Sequence, residues 1–113
     1  PLHGGANEMV MHMMIEIADA AKAESWMLDA LAKKRKVMGF GHRVYKKGDS
    51  RVPTMKKYAQ KMADQIGDQK WMQMYETLER VMVEKKKIYP NLDFPAGPAY
   101  YMMGFEIDFF TPI

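Results

Sequence analysis

Met38-Gly-Phe-Gly-His-Arg-Val-Tyr-Lys-Lys-Gly-Asp-Ser-Arg51 gathers three glycines, a histidine and four cations between two stretches of helical periodicity. Glycine at 39, 41 and 48 allows φ > 0 and lets a ligand approach the main chain closely. His42 inside such a backbone, with Arg51 nine residues on, suits an anion that carries a polarisable carbonyl. Alone, the pattern equally describes a connector with solvated charges. GxG without a preceding strand is no dinucleotide fingerprint. What stands on either side has to decide.

Both sides read as helix. Asn7 or a neighbour caps a segment from about Glu8 to Ala21, in which Met9, Val10, Met13, Met14, Ile17 and Ala21 recur at helical spacing. Ser25 is expected to cap a second helix near 25–35, with Met27, Leu28, Leu31 and Ala32 inward. The Lys33–Lys36 run at its end complements the helix dipole. Beyond the glycine stretch, Pro53 sits where a first-turn proline belongs. Met55, Tyr58, Ala59, Met62, Ala63 and Ile66 follow at three- and four-residue intervals, and Gly67 closes the helix. Asp68 starts another, with Trp71, Met74, Tyr75, Leu78, Val81 and Met82 in a stripe that runs to about Lys87. Pro90 to Pro98 is rich in breakers and is expected to be a loop. A short apolar helix over 98–104 ends at Gly104, after which the chain trails off. Residues 36–45 have room for a short hairpin-like segment; no other strand alternation appears. The expected fold is all-α, a single domain over 1–113 with about five helices around a methionine-rich core.

Composition agrees with that and removes several classes of function. A chain of 113 residues buries roughly two-thirds of its unfolded surface. With 48% hydrophobic residues, the composition supplies a compact core and speaks against wholesale disorder. The absence of cysteine excludes disulfides and thiolate metal sites and fits a cytoplasmic setting. No apolar run approaches the roughly 18 residues of a membrane span, and no signal pattern opens the chain. Net charge is +3, but 14 acidic residues interrupt the lysine clusters, so there is no basic stripe for nucleic acid. None of the three histidines has a partner at metal-ligand spacing, and no metal is expected. The 13 methionines read first as core filler and second as an adaptable contact surface.

The unusual polar residues, His3, His42, Arg51 and Asp93, stand in three loops, 1–7, 38–51 and 90–98. His3 precedes a helix start, where positive backbone potential favours a neutral, hydrogen-bond-donating ring. Asp93 lies in a segment too stiff for a random linker, and its ordinary reading is a turn or cap residue. Helices of alternating direction can bring these loops to one side, although sequence does not force it.

Pro1-Leu-His-Gly-Gly-Ala-Asn-Glu8, Gly39-Phe-Gly-His-Arg-Val-Tyr45, Asp49-Ser-Arg51 and Pro90-Asn-Leu-Asp-Phe94 together resemble the citrate synthase family, in its order and at about its spacing. The stretches 38–55 and 90–95 look most like its 2-methylcitrate synthase branch, and the likeness covers essentially the whole chain.

The resemblance implies condensation of an acyl-CoA with oxaloacetate. By position, Asp93 is the general base on the acyl α-carbon, His3 hydrogen-bonds the thioester oxygen, and His42 polarises the oxaloacetate carbonyl. Arg51 holds a carboxylate. Val37, Met38, Gly39, Phe40 and Gly41, with His42, wrap the adenine of coenzyme A, and Lys46, together with Arg43, faces its phosphates. Coenzyme A enters as a thioester substrate; no permanently bound cofactor is implied.

The family chain is several times longer, so the resemblance is to its small domain. The large domain, with further substrate-binding residues and most of the dimer interface, is expected to be missing. Alone, these residues are expected to turn over negligibly. Two alternatives remain: an autonomous coenzyme A-binding module, and a self-associating protein, homodimeric or larger, that uses the methionine-rich faces and Phe109-Phe110.

Overall fold

A computed structural model describes residues 5–41 and 50–110, the last six of these by backbone alone. The described residues form five α-helices: α1 (Ala6–Ile17), α2 (Ala23–Ala32), α3 (Val52–Ile66), α4 (Lys70–Lys86) and α5 (Asp93–Phe110). The described residues contain no strand; residues 36–41 form no hairpin but a single antiparallel bridge, Phe40 to Pro90. The expectation of an all-α domain of five helices is met. No described helix is long and apolar enough to cross a membrane.

The first helix ends earlier than its apolar spacing suggests. Ala18 turns to φ 70°, and the Asp19 side chain accepts a bond from the Ala21 N–H at 2.9 Å, giving the backbone a local alternative to helix. A 3-10 turn, Ala20–Lys22, follows and runs straight into α2. Ser25 therefore caps nothing: its hydroxyl lies inside the helix and donates to the Lys22 carbonyl at 3.2 Å. At the other end of α2, Lys34 takes φ 57° where glycine is usual. Its N–H bonds the Leu31 carbonyl and the Arg35 N–H bonds that of Ala30, the paired closure of a Schellman cap. This cap turns the chain toward Val37, which is buried. The cations around it are surface pairs: Lys33 with Asp29 at 3.1 Å, and Arg35 with Glu16 while stacked 5.1 Å over Trp26.

Gly67 closes α3 at φ 71°, as its sequence predicts. The next helix starts two residues later than Asp68, whose carboxylate accepts from the Lys70 N–H at 3.0 Å. The predicted stripe of α4 is wholly buried, from Trp71 to Met82. Most of the 13 methionines are buried with it, which decides for core filler over contact surface. Elsewhere the stripes are ragged: Met9, Leu28 and Tyr58, all placed inward by spacing, are exposed, and Met11 is buried instead.

The largest departure is α5. It begins at Asp93 and runs to Phe110, through the segment that its prolines and glycine mark as loop. Pro95 falls in the first turn, where a backbone N–H has no intrahelical partner. Pro98 does interrupt the ladder, costing one i→i−4 bond. Complete burial compensates: Phe94 through Ala99 are all buried. α5 packs most extensively on α3 and then on α1, while α2 packs on α4.

Candidate functional site

At the N-terminus of α5 the described parts of two polar segments, 39–41 and 89–93, meet. The Asn91 side chain accepts the Asp93 N–H at 3.0 Å, an Asx turn that leads into the helix. The same side chain donates to the Gly41 carbonyl at 2.9 Å. Two backbone bonds join the same segments: Gly41 N–H to the Tyr89 carbonyl at 2.8 Å, and Asn91 N–H to the Gly39 carbonyl at 2.9 Å. Gly39 and Gly41 stand at φ 91° and 88°, conformations that glycine adopts without strain. Space is as demanding as angle at Gly39, where a Cβ would lie 2.8 Å from Val10 Cγ2 and 3.0 Å from the Phe94 ring.

Phe94, next to Asp93, is clamped between Phe40 and Tyr75, with ring centroids 4.5 and 4.4 Å away. Such tilted pairs add to what burial alone contributes. The Tyr75 hydroxyl is buried without a hydrogen-bond partner among the described residues. Burial, assisted by Glu79 and Glu76, pushes it well above its ordinary value of 10.0. Lys56 lies 5.2 Å over the same ring and pairs with Glu76 at 3.1 Å and Glu79 at 3.5 Å. Burial by itself lowers the Lys56 ammonium; the two glutamates outweigh it, and the net direction is upward.

The first segment approaches from the other side. Gly97 lies so close to α1 that a Cβ there would meet the Asn7 carbonyl oxygen at 2.8 Å and Val10 at 3.2 Å. Arg51 stands at the start of α3 and shares with Leu92 the lining of an open pocket of about 540 Å³. Its remaining wall, Thr54, Met55, Tyr58, Tyr100 and Met103, is mostly apolar.

Of the residues singled out by sequence, Val37, Met38, Gly39, Phe40, Gly41, Arg51 and Asp93 are described. Gly39, Phe40 and Gly41 are held directly against the Asp93 turn, Val37 is buried, Met38 and Asp93 are half-buried, and Arg51 is exposed at the pocket. His3, His42, Arg43 and Lys46 lie outside the described residues. Asn91, Phe94 and Gly97 were missed. Asn91 had a legible signal, an asparagine two residues before an aspartate, the spacing of an Asx turn. The close approach at Gly97 depends on a partner 90 positions away and left no local trace.

A half-buried Asp93 in the first turn of a helix has a positive-φ loop fixed against it, and nearby an arginine, a group suited to a carboxylate or phosphate, stands at the edge of an apolar pocket. The pattern of the citrate synthase C-terminal domain matches residues 1–113. The chain belongs to the citrate synthase family. It is 59% identical over 113 residues to 2-methylcitrate synthase 1 of Corynebacterium glutamicum, covering all of this chain and 30% of that protein. Against the citrate synthase of Mycolicibacterium smegmatis it is 58% identical, covering 99% of this chain and 30% of the relative. The crystal structure of citrate synthase from Pyrobaculum aerophilum superimposes with a TM-score of 0.79 at 38% identity, over 99% of this chain and 29% of that one. A Thermoplasma acidophilum citrate synthase, solved as a ternary complex with carboxymethyl coenzyme A and oxaloacetate, gives 0.78 at 37% identity, over 93% of this chain and 29% of that one. The chain thus spans about 30% of the length of the curated relatives it matches.

Proposed function

We propose that this chain supplies the catalytic small-domain wall of a condensing enzyme that joins an acyl-CoA to oxaloacetate, as a citrate or 2-methylcitrate synthase. The reading is supported by the family and by one observation above the rest: the hydrogen-bonded seam between 39–41 and 89–93, which joins two of the sequence motifs. In this reading Asp93 removes a proton from the α-carbon of the thioester. A carbon acid that weak requires the base within hydrogen-bond reach and a donor aimed at the oxygen where charge develops. His3 is that donor. His42 polarises the ketone of oxaloacetate and protonates the forming alkoxide, and the planar fork of Arg51 holds a carboxylate. Residues 37–42 receive the adenine, with Lys46 and Arg43 toward the phosphates. Water then hydrolyses the thioester of the condensation product, breaking the C–S bond and freeing the coenzyme thiol, with neither metal nor resident cofactor in the scheme.

The roles divide a reaction that needs two walls. One wall leaves water in contact with the enolate and orients only part of each substrate. The 113 residues are therefore proposed to bind coenzyme A weakly and to turn over only when the rest of the family fold is supplied. Acyl preference between acetyl and propionyl rests on a single methylene, about 1–3 kcal/mol.

Coenzyme A titrated into the labelled chain should move the amides of 36–47 at millimolar concentration; silence there would remove the binding role. With the remaining two-thirds of a relative added in trans, propionyl-CoA plus oxaloacetate should release free thiol. A rate no higher than that of Asp93→Asn would remove the catalytic role. Exposed Tyr58 and Tyr100 at the apolar pocket favour a second reading, self-association. A strictly monomeric chain at all concentrations on sizing counts against it.

A further inference from the structure

We propose that Asn91 is a positioning residue that fastens the base Asp93 to the coenzyme-binding loop, so that residues 39–41 and the carboxylate turn move as one body. The inference rests on the roles proposed above for Asp93 and for 37–42. Its physical basis is the pair of side-chain bonds: the Asn91 oxygen accepts the Asp93 N–H at 3.0 Å while its NH₂ donates to the Gly41 carbonyl at 2.9 Å. No rotation of the carboxamide serves as well, because exchanging its oxygen and nitrogen would face two acceptors at Gly41 and two donors at Asp93. The two backbone bonds of the seam can be made by other residues at these positions. The side-chain pair cannot: leucine offers neither group, aspartate at neutral pH offers only acceptors, and glutamine is longer by a methylene. The geometry matters for chemistry because the coenzyme would be held by one side of the seam and the base by the other. The distance from carboxylate to α-carbon is then set by the width of the seam, and a misplacement of about 1 Å costs on the order of a hundredfold in rate.

The test uses amide exchange and Asn91→Asp. At neutral pH this variant keeps an acceptor for Asp93 and sets a second oxygen against the Gly41 carbonyl. With that bond gone the seam should loosen, so that the Gly41 amide, which donates to the Tyr89 carbonyl, loses about tenfold of its protection relative to wild type while the Asp93 amide keeps its own. As pH falls through titration of the new carboxyl, the protonated group donates to Gly41, and protection should return. Asn91→Ala should lose both at every pH. In the unsubstituted chain, one Asn91 side-chain proton should exchange more slowly than those of exposed glutamines, a reading that needs no variant to fold. Wild-type protection of Gly41 in Asn91→Asp at neutral pH, or free exchange of both Asn91 side-chain protons, would overturn the proposal. Coenzyme A should shift Gly39, Gly41 and Asp93 together in wild type, and the loop without Asp93 in Asn91→Asp. If coenzyme A moves nothing even in wild type, the binding role fails while the exchange measurements still decide the clamp.

Discussion

α4 and α5 are nearly the same length, 17 and 18 residues, and were opposite in legibility. One side of α4 faces water, so its apolar residues repeat with the turn of the helix and each predicted position is buried. The first two turns of α5 are enclosed on every side, and an element without a wet face has no period to read. Its composition, two prolines and a glycine among six residues, speaks against helix until the neighbours are known. Gly97 is there because α1 passes too close for a side chain, and the prolines fill buried space. Local rules describe a helix on the surface; a helix at the centre answers to its partners.

The contrast can be pressed by substitution. Phe94→Ala should have the largest effect, about 3–5 kcal/mol in urea denaturation, because the ring is held by both Phe40 and Tyr75. It should also disturb the amides of 39–41, whereas Leu78→Ala on α4, costing about 2–5 kcal/mol, should leave them in place. Equal disturbance from both would mean that α5 is no more central than α4. Gly97→Ala comes next. The added methyl must push α1 and α5 apart, for about 1–3 kcal/mol, with the shift concentrated at Asn7 and Val10 in NMR spectra. Gly67→Ala meets no neighbour and carries only the smaller strain of positive φ, about 1–2 kcal/mol.

The smallest effect lies where Lys56 of α3 meets Tyr75, Glu76 and Glu79 of α4. Tyr75 and Lys56 both bind their protons more tightly folded than unfolded. Stability is therefore complete below the unfolded values near 10 and declines as pH rises above them. Tyr75→Phe should flatten that alkaline decline, and at neutral pH should change stability by no more than about 1 kcal/mol, since it deletes a buried hydroxyl without a partner. Lys56→Met should cost less than about 1 kcal/mol because the pair is partly solvated. An unaltered alkaline limb in Tyr75→Phe would show that other groups set it.

Sequence carried the helical class, the α3 closure at Gly67 and the whole buried stripe of α4, because each depends on neighbours within a few residues. The family motifs singled out Asp93 and 37–41 as proposed site residues without geometry; periodicity alone left Asp93 as a turn residue, and its backbone N–H does close an Asx turn. The ends of α1 and α2 went astray over single side chains: Asp19 found a backbone donor two residues on, and Ser25 sat one turn inside a helix it was expected to begin. The enclosure of α5 depended on contacts with residues near 7, 10 and 39, beyond the reach of any window.

The seam at Gly41 and Asn91 ties together positions 50 apart along the chain. Before it can close, the intervening helices have to be placed and the entropy of a long loop surrendered. On the proposed reading, a partly folded chain, however helical, then has no assembled wall to offer the coenzyme, so recognition and the final docking of the chain arrive as one event.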